Sequence, residues 1–336
     1  SSIPVHKRMD GEGSGMHNKI VIGDADYPDL AFVLTGSTNM TTGNLNTDKN
    51  NVIVIEDQSL ARGYRLEFNE MWGSDGMVAD EDNSKFGPEK VINTPKKFII
   101  GGSPVELYFS PTDGTTTAIR QAIETTDYSF IFAVMSFTRD DLADAIIDET
   151  TFFVTPMGAI EEENTTGSEY QTLLDAGVEI YSHQGISGTL HHKYAVVDHV
   201  EPLADPIVIT GSHNWSSSAE NLNDENTLLV HDARVANLYY QEFMGLLQTM
   251  GVIAVDDIDG ELLLLLYPNP TTSNIHLEID EKLLGEQLEI KDINSRNVMQ
   301  LIPNNVRSNY DVSHLTPGIY FLTSSKFSDV YRIVIQ

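Results

Sequence analysis

Leu190-His191-His192-Lys193-Tyr194-Ala195-Val196-Val197-Asp198, closed by Thr210-Gly211-Ser212-His213-Asn214, has a second copy near the start of the chain. That copy reads Met16-His17-Asn18-Lys19-Ile20-Val21-Ile22-Gly23-Asp24, closed by Thr35-Gly36-Ser37-Thr38-Asn39. Each has His, one residue, Lys, four residues, Asp, and then Gly-Ser-x-Asn after a loop. Setting Gly36 on Gly211, an offset of 175, also aligns Asn51 with Asn226, Asp57 with Asp232, Tyr64 with Tyr239, Glu67 with Glu242 and Phe68 with Phe243. So many coincidences in one register mean an internal duplication, and repeats decide architecture before anything else does.

Each copy reads as strand, loop, strand, turn, strand, helix. Lys19–Ile22, Ala31–Leu34 and Val52–Ile55 have strand character, as do Tyr194–Val197, Ile207–Ile209 and Leu228–Val230. Leu60–Trp72 and Ala233–Met250 carry apolar residues at helical spacing. Ahead of the second copy, Val105–Phe109, Tyr128–Phe137 and Val178–Tyr181 read as strands. Thr116–Thr125, Asp140–Asp148 and Glu169–Ala176 read as helices between them. This alternation predicts an α/β sandwich on a largely parallel sheet. Only 16 residues precede His17, against 87 from Pro104 to His191. The first repeat is therefore expected to lack its opening elements, as a fragment of a longer product would.

The expected organisation is a first repeat at 1–73, a Gly- and Asp-rich linker at 74–103, a second repeat at 104–250 and an acidic linker at 251–264. The region 265–336 changes to short alternating strands such as Ile275–Ile279 and Tyr331–Ile335, and predicts a small β-sandwich.

The net charge of −30 is concentrated: residues 262–336 hold six Lys/Arg and eight Asp/Glu, leaving −28 on residues 1–261. Such a body repels polyanions at long range, which disfavours an extended nucleic-acid coat but leaves room for a basic pocket. With no cysteine, disulfides, zinc–thiolate sites and thiol catalysis are excluded. No apolar run in the sequence reaches membrane-spanning length.

A phosphodiester is an anion with a poor leaving group. Cleaving it without a metal needs a nucleophile, a proton donor for the leaving oxygen, and cations around the phosphoryl oxygens. Histidine serves both proton transfer and nucleophilic attack near neutral pH. In a strand, residues two apart share a face, so each His-x-Lys presents imidazole and ammonium together. The candidates are His17, Lys19, Asp24, His191, Lys193 and Asp198, with Ser37, Asn39, Ser212 and Asn214 as phosphate binders; no metal or cofactor is expected. His192 faces away by strand alternation and, like His213, reads as structural. The acidic runs at 79–82 and Glu161-Glu162-Glu163 read as solvated surface.

The two copies resemble the paired HKD motifs of the phospholipase D superfamily, over roughly residues 1–250. The Asp-to-Gly spacing departs from that pattern, with eleven and twelve intervening residues instead of six. A longer hairpin with intact catalytic geometry is expected from this. The resemblance implies a duplicated sandwich with one site on a pseudo-twofold, in a monomer. It further implies a phosphohistidine intermediate, with His17 as nucleophile and His191 as acid and base. It also places Glu225 behind His17 and Asn50 behind His191, across the pseudo-twofold. Tyr267-Pro268-Asn269-Pro270 and Leu315-Thr316-Pro317-Gly318-Ile319-Tyr320 are similar to the type A sorting domain of type IX secretion in Bacteroidetes. That resemblance implies the secretion machinery as a partner for residues 265–336, and export to the cell surface or medium. The expected function is a secreted phosphodiesterase acting on phospholipid headgroups. The alternatives are a metal-independent nuclease using the same site, or an inactive binding protein.

Overall fold

The computed structural model describes residues 3–7, 15–151, 154–199, 204–252, 264–267, 271–292, 296–324 and 331–335. They fall into two compact units, residues 1–252 and 253–336.

In the first unit, repeat one supplies β1 (Val21–Gly23), β2 (Phe32–Gly36), α1 (Thr42–Asn46), β3 (Val52–Ile55) and α2 (Gln58–Trp72). Its strands form an antiparallel sheet in the order β1-β2-β3. The chain continues through β4 (Lys97–Ile100), β5 (Ser103–Ser110), α3 (Thr115–Ile123), β6 (Phe130–Val134), α4 (Asp140–Asp148), β7 (Met157–Ile160), α5 (Tyr170–Asp175) and β8 (Glu179–Ser182). It then repeats the opening pattern as β9 (Lys193–Val197), β10 (Ile207–Gly211), α6 (Ser217–Asn221), β11 (Glu225–His231) and α7 (Ala233–Thr249). These strands build an eight-stranded sheet ordered β4-β5-β11-β10-β9-β6-β7-β8. The sheet is mixed and not largely parallel: only β6-β7-β8 pair in parallel, because β9, β10 and β11 are hairpin-connected. β6, β9 and β10 are buried along their whole length, as central strands covered on both faces must be. The lengthened Asp-to-Gly loops are accommodated as hairpins, β1 with β2 and β9 with β10.

The duplication is visible in local chemistry. Asp57 caps α2 by accepting from the Leu60 N–H, and Asp232 caps α7 by accepting from Arg234 and Val235. Gly36 and Gly211 sit at φ of +138° and +153°. A Cβ on either would lie 2.3 or 2.2 Å from the carbonyl oxygen of Asn51 or Asn226, so only glycine lets the next strand approach.

Residues 74–103 are more than a linker. Lys97–Ile100 is a strand paired with β5, and Lys90 is buried. Its ammonium touches the Glu67 carboxylate, lies 3.1 Å from Asp224 Oδ1, and donates to the Ser110 carbonyl at 2.8 Å. Burial pushes Glu67 up to about 7, against the pull of Lys90. β7 was also illegible in sequence: Met157-Gly158-Ala159-Ile160 lacks strand composition, and Gly158 is required because the Phe132 ring would lie 2.1 Å from a Cβ there.

The second unit is a β-sandwich. One sheet is β12 (Leu264–Tyr267), β13 (Asn274–Ile279) and β16 (Arg307–Asp311). The other is β14 (Leu288–Asp292), β15 (Asn297–Leu301), β17 (Gly318–Ser324) and β18 (Tyr331–Ile335). Ile275, Leu277, Leu288, Ile290, Leu322 and Ile333 fill the space between them. The Tyr320 hydroxyl donates to the Thr316 carbonyl at 2.8 Å, pinning the Thr-Pro-Gly turn. Pro268, Asn269, Pro270 and most of the acidic linker lie outside the described residues.

Gly211→Ala is expected to cost about 2–4 kcal/mol through backbone strain and a forced shift of β11. Lys90→Met is expected to cost about 3–5 kcal/mol, since it strands two buried carboxylates. Chemical denaturation checks both; a loss under about 1 kcal/mol in either would contradict the packing described.

Candidate active site

The two histidines are delivered by the same device used twice. The N–H of His17 donates to the Asp224 carbonyl at 3.0 Å, and the N–H of His191 donates to the Lys49 carbonyl at 2.7 Å. One residue earlier, Met16 bridges Asp224 and Leu190 bridges Lys49, both in parallel sense. One residue earlier again, the Gly15 N–H donates to the Asn223 side chain and the Thr189 N–H to the Asp48 side chain. Each histidine is thus positioned by the opposite repeat.

Within each motif the lysine turns back on its own histidine. Lys19 Nζ donates to the His17 carbonyl at 2.6 Å, and Lys193 Nζ to the His191 carbonyl at 2.8 Å. The halves differ behind the imidazoles. His17 Nδ1 lies 2.7 Å from Glu225 Oε2, and Glu225 is fully buried. The Ser212 hydroxyl donates to the same carboxylate oxygen at 2.6 Å, and the Asn223 amide donates to the other at 3.4 Å. His191 Nδ1 instead meets the Ser37 carbonyl at 2.9 Å. A carbonyl only accepts, so Nδ1 of His191 carries its proton and Nε2 is the nitrogen left for chemistry.

Asn50 does not stand behind His191. Its amide donates to the Asn44 and Asp48 carbonyls and its oxygen takes the Thr38 hydroxyl, so it fastens the α1 turn. Ser37 and Ser212 are likewise not free for phosphate. Ser37 Oγ donates to Asn51 Oδ1 at 3.0 Å and accepts the Asn51 N–H, while Ser212 Oγ accepts the Asn226 N–H besides serving Glu225. Asn39 and Asn214 remain half-buried, and Asn214 Oδ1 has no hydrogen-bond partner among the described residues. Asp198 is placed for structure: at the far end of β9 from Lys193, it accepts the N–H groups of Asp127, Tyr128 and Ser129. Asp198 and Asp24 share left-handed φ values of 53° and 45°, and Asp24 is exposed.

Two contributions had no signal in sequence. One is the Ser37 carbonyl, a backbone group. The other is Glu161, expected as solvated surface, whose Oε2 accepts from the Leu190 N–H at 2.8 Å and lies 2.8 Å from His183 Nδ1. It thereby fixes the residue next to His191.

The site concentrates positive charge. Burial lowers Lys193 to about 7, with Lys19 adding to the effect and Glu225 opposing it. Burial lowers Lys19 to about 8, again against Glu225. Burial also takes His191 down to about 3, with Lys193, Lys19 and His17 each disfavouring its protonation. Two lysines and two histidines lie close enough for their charges to act on one another, with the buried carboxylate of Glu225 beside them, an arrangement that a bound anion would relieve.

Residues 2–72 and 119–247 match the family described as "Cardiolipin synthase, PLD-like domain", and residues 265–336 match "Secretion system C-terminal sorting domain". The chain belongs to the phospholipase D-like family and has its fold, and it ends in a type IX sorting domain that directs export to the cell surface or medium. Among curated proteins, the mitochondrial cardiolipin hydrolase of Xenopus tropicalis is 41% identical over 83 residues, covering 25% of this chain and 36% of that protein. The phospholipase D of Rickettsia bellii is 26% identical over 164 residues, covering 46% and 78%. Solved structures that resemble the chain include the phosphatidylserine synthase of Haemophilus influenzae, at 14% identity and a TM-score of 0.47, covering 71% of this chain and 63% of that one. A phospholipase D family member from Salmonella typhimurium matches at 22% identity and a TM-score of 0.36, covering 42% and 91%. The chain spans about a third of the length of the Xenopus tropicalis cardiolipin hydrolase. Among the described residues no helix is long and apolar enough to cross a membrane.

A bound oxyanion should raise the lowered pKa values of Lys193, Lys19 and His191, so binding takes up protons wherever the empty site is deprotonated. Titrating tungstate at pH 8 in buffers of different ionisation enthalpy should show net proton uptake. Zero uptake, or release, would contradict the charge arrangement.

Proposed function

We propose that the chain is an exported phospholipase D-type hydrolase that cleaves phospholipid headgroups through a phosphohistidine. The observation that carries this reading is the mutual approach of His17, Lys19, His191 and Lys193, each motif held by the opposite repeat, beside the buried carboxylate of Glu225. The names of the relatives, cardiolipin hydrolase and phospholipase D, favour a lipid substrate.

His17 is the nucleophile. Its Nδ1–H stays with Glu225, whose charge stabilises the cation formed when Nε2 bonds to phosphorus. As that bond forms, the bond from phosphorus to the leaving oxygen breaks, and the leaving oxygen takes a proton from Nε2 of His191. His191 is neutral in the empty site and acquires this proton when the anionic substrate arrives. Water then gives a proton to the same nitrogen, its oxygen bonds to phosphorus, and His17 leaves. Lys19 and Lys193 neutralise the phosphoryl oxygens, with the Asn39 and Asn214 amides beside them. No metal enters these steps.

The test is headgroup release from phosphatidylcholine vesicles alongside cleavage of single- and double-stranded DNA, both with EDTA. The expected result is lipid turnover that survives EDTA and falls by about a thousandfold or more in His17→Ala and His191→Ala. DNA cleavage without lipid turnover would reassign the substrate to nucleic acid. Activity abolished by EDTA would overturn the metal-free mechanism. Full activity in both variants would remove the site from the reaction.

A further inference from the structure

His192 stands between the two functional residues of the second motif but faces the other side of β9, where its side chain is 1% exposed. Its two nitrogens meet two oxygens: Nε2 lies 3.0 Å from Glu242 Oε1, and Nδ1 lies 3.3 Å from Asn51 Oδ1. The Asn51 amide is held the other way round by hydroxyls, its Nδ2 donating to Thr210 Oγ1 at 2.8 Å and to the Tyr239 hydroxyl at 2.9 Å. The same Oδ1 takes the Ser37 hydroxyl at 3.0 Å, and the Ser37 carbonyl takes the Nδ1 proton of His191. A continuous chain of contacts therefore runs from Glu242 through His192, Asn51 and Ser37 to His191.

The first repeat supplies an internal control. Asn226 is the counterpart of Asn51, and Asn18 the counterpart of His192. There the amide is turned over: Asn226 Oδ1 takes the Thr35 and Tyr64 hydroxyls, and Nδ2 donates to Asn18 Oδ1 at 2.8 Å. The difference follows from donor and acceptor accounting. Asn18 turns its Oδ1 to the NH₂ end of the amide, while its own Nδ2 is buried without a partner among the described residues. His192 draws the oxygen end, so its Nδ1 bears a proton. Its Nε2 faces a carboxylate, so that nitrogen bears a proton too. A neutral imidazole has one N–H, and two acceptors require the imidazolium. Glu242 supplies the counter-charge, fixed in turn by the Tyr194 hydroxyl. The other ionisable groups facing the pair are Tyr194 on β9, whose ring meets His192 at 5.0 Å, Tyr239 on α7, and Lys49, whose charge acts on Glu242.

We propose that His192, held as an imidazolium by Glu242, is a positioning residue for His191, acting through Asn51 on the Ser37 turn that receives the His191 Nδ1 proton. The proposal rests on the reading of His191 as the acid and base. Neutral His192 would present a lone pair at Nδ1 and turn the Asn51 amide into the orientation of Asn226. Ser37 Oγ would then lose its acceptor and the carbonyl its fixed direction. Proton transfer by His191 would therefore weaken through a residue that touches no substrate.

The test compares wild type with His192→Asn, the residue the first repeat uses, and with Glu242→Gln, after melting curves confirm that both variants fold. Two substrates are used: phosphatidylcholine, whose alcohol needs a proton to leave, and a p-nitrophenyl phosphodiester, whose nitrophenolate does not. Both variants should lose about 10- to 100-fold in kcat on phosphatidylcholine, the size typical for partners that orient a functional imidazole. KM should stay within about twofold, and the nitrophenolate burst should suffer far less. An unchanged kcat would overturn the proposal, as would equal losses on both substrates. If wild type turns over neither substrate, the functional reading fails, and ¹⁵N-histidine NMR decides the positioning claim on its own. A buried imidazolium present in wild type and lost in Glu242→Gln upholds the pairing, whereas a neutral ring in wild type overturns it.

Discussion

The hydrogen bond from His17 to Glu225 is the constraint on which the rest depends, because it joins an imidazole of one repeat to a carboxylate of the other. Glu225 is fully buried and serves three donors. A buried carboxylate is tolerable only with charge-assisted partners, so burying Glu225 requires the two repeats to meet in one register. The paired backbone bonds, His17 to Asp224 and His191 to Lys49, enforce that register from both sides. The polar seam at Asn51 and Asn226 extends it, each amide reaching hydroxyls and a motif neighbour of the opposite repeat. Cross-repeat polar bonds of this kind specify one arrangement where apolar packing alone would permit several.

Departures from exact symmetry set the two halves of the site apart. Glu225 and Asn50 occupy equivalent positions, yet only Glu225 reaches a motif imidazole, that of His17, whereas His191 donates to a backbone carbonyl. Asn18 and His192 are equivalent, yet one is a neutral amide and the other is paired with Glu242. Glu67 and Glu242 are equivalent, yet one is held by the buried Lys90 and the other by His192. The duplication supplied two copies of one scaffold, and substitutions at a few buried polar positions gave the two histidines different surroundings.

Much of this was legible in the chain because the signal was relational. The offset that aligns Gly36 with Gly211 located the matching strands and helices of the two repeats before any coordinates, and the family resemblance implied the His17–Glu225 pair. What stayed hidden was set by neighbours distant in sequence. The Ser37 carbonyl has no residue identity to read. Ser37 and Ser212 look like phosphate binders until Asn51 and Glu225 are seen to claim their hydroxyls. Glu161 looks solvated until Leu190 and His183 converge on it, and β7 is masked by a glycine that exists for the Phe132 ring. The sheet order was beyond sequence periodicity, which reports that a strand is buried but not which way its partners run.

The most direct test of the central claim, that two repeats form one covalent phosphodiesterase site, is to trap the intermediate. His191→Ala protein mixed with a p-nitrophenyl phosphodiester should still be phosphorylated, since that leaving group needs no proton, and should then stall for want of a base. Peptide mass mapping under alkaline quench is predicted to find the phosphoryl group on the peptide carrying His17, and none in the additional variant His17→Ala. An adduct elsewhere, or turnover in His191→Ala without any adduct, would contradict the account.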